Sequence, residues 1–99
     1  MIKDEFDGLF LGQKVCIHHN TYEQWEKIAQ YLENELGLKP ADPVSDHDFK
    51  TFPYTYLRGS IIFSNCGYPG NHQVIPFEQF WDTVTGSEPE FQCSLEEVL

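Results

Sequence analysis

Apolar positions recur at helical spacing in two stretches of this chain. Trp25, Ile28, Ala29, Leu32 and Leu36 form one stripe, and Phe77, Phe80, Trp81 and Val84 form a second at i, i+3, i+4, i+7. The first predicts a helix over about 22–36. Asn20 has Glu23 three residues on and Thr21 has Gln24, so either residue closes a capping box at its start. Glu23 and Lys27 add an i,i+4 pair in the favourable order, and Gly37 is placed to end the helix. The second stripe predicts a short helix over about 77–85, with Pro76 at its first position and Gly86 near its end.

Elsewhere the period is two. In 14–19 (KVCIHH), Val15 and Ile17 share one side of a strand and Cys16 and His18 the other. In 52–57 (FPYTYL), Phe52, Tyr54 and Tyr56 share one face, and Thr55 and Leu57 the opposite one. Arg58-Gly59 reads as a tight turn into a strand at 60–65 (SIIFSN), giving a β-hairpin. CGYPGN (66–71) reads as another turn, with Gln73 to Ile75 as the third strand of a meander. Residues 1–13 read as a lead-in with a short helical turn, and 38–51 as a loop. The fold class is therefore α+β: a small, mainly antiparallel sheet of about three to four strands, packed against one long and one short helix. A single domain over 1–86 is followed by an acidic tail, 87–99, read as a short helical turn or disordered.

The 99 residues suit one domain, and an apolar fraction of 40% with 15% aromatics is enough for a core. Charge changes the picture more. Sixteen Asp and Glu face six Lys and Arg, a net charge of -10. Beyond Arg58 there is no Lys or Arg, while Glu78, Asp82, Glu88, Glu90, Glu96 and Glu97 follow. Nucleic acid and anionic membrane are disfavoured as partners, because both require clustered cations. A basic protein surface is the electrostatic complement, with solubility alone as the competing explanation of the acidity.

Candidate chemistry is sparse. Cys16, Cys66 and Cys93 are odd in number and widely spaced, which is no disulfide framework. With no signal-like or membrane-length apolar run, the chain reads as cytoplasmic with free thiols. His18-His19 and Asp46-His47-Asp48 lack the paired spacing of a metal site, so no metal is expected and the histidines default to solvated surface residues. No GxSxG, Walker A, GxGxxG or HExxH motif is present, and no cofactor is expected. The GYPGN turn offers backbone donors for an anion nest, against a plain connection with glycines at positive φ. Tyr54, Tyr56 and Tyr68 offer a recognition surface, against a role in the core.

Residues 12–36 and 54–80 resemble a recurrent type of small phage and prophage protein. In that type a strand leads into a helix of the form T-x-E-x-W-E followed by a glycine, and a meander closes on I-P-F-E-x-F, here Ile75 to Phe80. The resemblance implies an inhibitor of host machinery, of the anti-CRISPR or anti-defence kind, acting in the host bacterial cell. No site residue travels with it. Joined to the charge, it leads to a non-enzymatic acidic protein that engages a basic, nucleic-acid-binding surface of a host defence complex. The expected contacts are Glu23, Glu26, Glu33, Asp42, Asp46, Asp48, Glu78 and Asp82, with Tyr54 and Tyr56 supplying packing. Two alternatives stay open. One is a sponge for a nucleotide signal, using GYPGN, Arg58 and nearby tyrosines. The other is a structural or regulatory domain that forms a homodimer through its sheet edge.

Overall fold

The computed structural model describes residues 1–41 and 51–86. The elements run α1 (Lys3–Leu11), β1 (Val15–His18), α2 (Tyr22–Asn34), β2 (Lys39–Pro40), β3 (Tyr54–Arg58), β4 (Ile62–Cys66), β5 (Gln73–Pro76) and α3 (Phe77–Thr85). The α+β class is as the patterning predicts. The sheet is larger and mixed: five strands in the order β2-β4-β3-β1-β5. β1 pairs antiparallel with β3, and β3 with β4, but β1 runs parallel to β5 and β2 parallel to β4.

The mainly antiparallel meander is therefore corrected, and the reason lies in residues 67–72. β5 does not fold back beside β4. It pairs on the far side of β1, with Val15 opposite Gln73 and Ile17 opposite Ile75. The link between β4 and β5 must pass over β3 and β1 to reach that place. β1 to β2 is also a parallel connection, made through α2 and in the opposite lateral direction. If both are right-handed, the two connections must cross opposite faces of the sheet. The stacking of His72 on Tyr56, with ring centroids 4.0 Å apart, places the 67–72 link on the face away from the helices.

The helices form one layer on the other face. Register and alternation put Val15, Ile17, Thr55, Leu57, Phe63 and Ile75 toward them, and all six are buried. Phe6 and Phe10, one helical turn apart, anchor α1 with rings 5.7 Å apart. The predicted helical turn in the lead-in is thus a nine-residue helix. Phe80 of α3 meets Phe6 at 5.2 Å and Tyr31 of α2 at 5.6 Å, so one ring joins all three helices. Trp25 packs α2 onto the sheet through Phe63 at 5.9 Å.

The predicted helix starts hold. The Thr21 hydroxyl accepts from the Gln24 backbone N–H at 3.1 Å, and the Gln24 side chain accepts from the Asn20 N–H at 2.8 Å, so Thr21 is the cap. α2 ends at Asn34, and Gly37 follows with φ +69. Pro76 precedes α3 as its cap, and Gly86 ends that helix in the left-handed region. β2 falls within the stretch read as a loop. The hairpin is as read, with β3 and β4 each starting two residues later and ending one residue later than expected.

Candidate functional site

Two surfaces of opposite character lie on the two sides of the sheet. The described carboxylates, Asp4, Glu5, Asp7, Glu23, Glu26, Glu33, Glu35, Glu78 and Asp82, all sit on the three helices or, for Glu35, at the cap of α2. Glu23, Glu26 and Glu33 are exposed and lie on one stripe of α2, opposite the buried stripe. Glu78 and Asp82 share the exposed side of α3. The two helix starts lie near each other, since the Gln24 amide reaches the Glu78 carboxylate at 3.5 Å.

The two lysines of this layer are engaged locally. Lys3 pairs with Asp7 at 3.1 Å, and the Lys27 ammonium lies 5.0 Å from the Trp81 ring centroid. Asp7 also accepts from the Tyr31 hydroxyl at 2.5 Å. Burial, then that bond to Asp7, holds the Tyr31 phenol well above its ordinary value. The rest of the helical carboxylates give the layer its charge.

The outer face of the sheet is built differently. Tyr54 and Tyr56 alternate with buried Thr55 and Leu57, so they face outward and are half-buried. Tyr54 lies against His18, with centroids 5.0 Å apart, and Tyr56 against His72. His72 is held in turn by a 2.9 Å contact to the Pro69 carbonyl, in which Nδ1 is the donor. Cys16 points to this same face, opposite Tyr56 in the register, and is nonetheless fully buried. That burial, with Cys66 nearby, pushes the Cys16 thiol up to about 11. A hydrogen bond with Cys66, then burial, raises the Tyr56 phenol to about 12.

These shifts have one sign and one consequence. Cys16, Tyr31 and Tyr56 each hold their proton more tightly when folded than when unfolded. The stability they contribute is complete below their ordinary values, 9.0 for the thiol and 10.0 for the phenols, and is lost as pH rises through the folded values. Urea midpoints should hold steady up to about pH 9 and fall above it, with the Cys16 thiol setting the onset. In Cys16→Ala the fall should begin about one unit later, where the phenols titrate. An unchanged onset in that variant would show that Cys16 is not the group responsible.

The site residues expected from sequence thus divide. Glu23, Glu26, Glu33, Glu78 and Asp82 come together on the helical layer, while Tyr54 and Tyr56 lie on the opposite side. The helix carboxylates and the tyrosines do not form one surface. Asp42, Asp46 and Asp48 lie outside the described residues, as does the 87–99 tail. His19 is corrected: it is fully buried, stacked on Trp25 at 5.6 Å and beside Thr55, whose hydroxyl donates to Asn65 at 2.6 Å. Trp25 four residues into the following helix region supplies the apolar wall that turns it inward.

Comparison with protein-family models, with curated proteins and with solved structures finds no match. The surfaces themselves are what bear on function. Among the described residues, no three His, Cys, Asp or Glu side chains gather as a metal set, and no helix is long and apolar enough to cross a membrane.

Proposed function

We infer that this chain is a non-enzymatic binding protein whose acidic helical layer docks on a basic protein surface. The partner is a nucleic-acid-handling complex of a bacterial host, and the role is that of the phage-encoded anti-defence inhibitors the sequence resembles. The observation that carries the reading is the placement of charge. Every described carboxylate belongs to the helical layer, and both lysines there are occupied by Asp7 and Trp81. A protein that was acidic for solubility alone would have no need to confine its carboxylates to one layer. Confined in this way, they present a negative field to one side, which speeds encounter with a cationic groove and fixes orientation in it.

Purified CRISPR effectors, assayed for target cleavage with the protein added, provide the test. Inhibition of at least one effector should weaken as salt is raised from about 50 mM to about 200 mM, through roughly halved screening lengths. Glu23→Gln/Glu26→Gln/Glu33→Gln should weaken it by about tenfold or more through slower association. Inhibition that ignores both salt and these substitutions would rule out charge-led docking, and no inhibition across the panel would rule out the assigned partner.

A further inference from the structure

The remaining described Lys and Arg are aligned where the sequence gives no hint of it. In the sheet register Lys39 lies opposite Ile62, and Ile62 opposite Arg58. The β1–β3 register, Ile17 with Thr55, continued three residues puts Lys14 opposite Arg58. The Gln13 side chain, donating to the Gly59 carbonyl at 3.0 Å, follows the same register, and the Gln73 N–H, donating to the Lys14 carbonyl at 2.9 Å, ties Lys14 to β5. Lys39, Ile62, Arg58 and Lys14 therefore form one row across the sheet, with His72 next in line. Strands about 4.8 Å apart make the row from Lys39 to Lys14 about 14 Å long.

Alternation places this row on the outer face, with Tyr54 and Tyr56. Lys14, Lys39 and Arg58 are exposed and have no ion-pair partner among the described residues. No described Asp or Glu lies on any strand or on the described links 51–53, 59–61 and 67–72. Beside the row lie the stacked pair Tyr56–His72 and Tyr68, the most exposed ring of the link that crosses the face at 68%, while the pair His18–Tyr54 lies about 13 Å farther along the strands. A chain of charge -10 has thus gathered three of its six Lys and Arg on one aromatic face that carries none of the described carboxylates.

We propose that this outer sheet face binds a short segment of single-stranded nucleic acid, with phosphates along Lys14, Arg58 and Lys39 and a base stacked at Tyr68. The chemistry of the face selects this occupant. Cations spread in a line suit a repeating row of phosphates, whereas one compact anion would need them to converge. Rings beside the cations add base stacking, the sequence-tolerant term in single-strand recognition, which an acidic peptide does not use. The acidic helical layer does not forbid this. It lies on the other side of the sheet, about 10 Å away at the packing distance of neighbouring layers. That is about one screening length at physiological salt. The proposal goes beyond the helical-layer reading and does not depend on it.

Fluorescence anisotropy with labelled single-stranded DNA and RNA of about 12 nucleotides tests the proposal. Binding is expected within about 10⁻⁴ to 10⁻⁶ M, with log K falling against log salt at a slope of about -2, as three neutralised phosphates require. Lys14→Gln, Lys39→Gln and Arg58→Gln should each reduce the slope by about 0.7. Tyr68→Ala should weaken binding roughly fivefold or more at unchanged slope. Glu23→Gln/Glu26→Gln/Glu33→Gln should bind the oligonucleotide no worse than the parent, which separates this test from that of the helical layer. Amide shifts on titration should fall on the strand ends around Lys14 and Arg58 and spare α2, a readout that needs no variant. The proposal is overturned by absent binding, by a slope that survives Gln at all three cations, or by shifts confined to the helices. It is equally overturned if polyglutamate, or a mononucleotide at equal molarity, competes as well as the oligonucleotide.

Discussion

Phe80→Ala is expected to remove about 3–5 kcal/mol of stability, the usual cost of deleting a buried phenyl ring. A domain of this size holds only about 5–15 kcal/mol in total. The expected fall in Tm is at least about 12 °C, at about 4–8 °C per kcal/mol. The size of the effect follows from position. Phe80 is fully buried, and its ring meets Phe6 of α1, Tyr31 of α2, and Phe77 and Trp81 of its own helix. Among the described residues no backbone hydrogen bond ties these three helices together, so apolar contact is what joins α1 and α3. Urea unfolding followed by circular dichroism measures the loss. A cost below about 1 kcal/mol, the range of surface changes, would mean that the three helices do not meet at this ring.

Trp25→Ala should cost as much, about 3–5 kcal/mol, by a different route. Its indole is the plate between α2 and the sheet, against Phe63 on one side and the buried imidazole of His19 on another. Truncation opens a cavity beside a polar ring, so His19 loses apolar packing and water gains a reason to enter. Trp25→Phe should recover part of the stability. Trp81 is the internal comparison: half-buried and partly held by Lys27, it should cost clearly less when cut to Ala. If Trp81→Ala proved the more damaging of the two, α2 would not be packed as described.

How far the chain can be read without its structure depends on the range of each interaction. The α2 and α3 stripes, the Thr21 cap and Gly86 are local, and each is legible. So are the faces of β1 and β3, because alternation needs no partner. The partner of β5 is not local. CGYPGN has the turn-rich composition of a hairpin connection, and composition does not say whether a link returns beside its own strand or crosses two others. β2 is hidden for a similar reason: two residues with a proline become a strand only because Ile62 and Phe63 arrive beside them. The candidate site shows the same limit. Charge counted along the chain points to its second half as the anionic region, whereas the fold sorts charge by face. Lys14, Lys39 and Arg58 are far apart in sequence, and only the register of four strands brings them into line. The glutamates of α2 needed only helical periodicity, so they were visible.

The strand order also sets a schedule. β1 is among the first elements made, yet it lies between β3 and β5, which are made much later. During synthesis Val15, Cys16 and Ile17 have no strand on either side until Arg58 and then Pro76 have left the ribosome. The two pairings of β1, with β3 and with β5, both close long loops, which slows folding. A nascent chain halted before Gln73 would carry an apolar strand with one open edge, a template for pairing with other chains. The link over the outer face is therefore also a last latch: only when it has been laid across β3 and β1 is the open edge of β1 shielded from its neighbours in the cell.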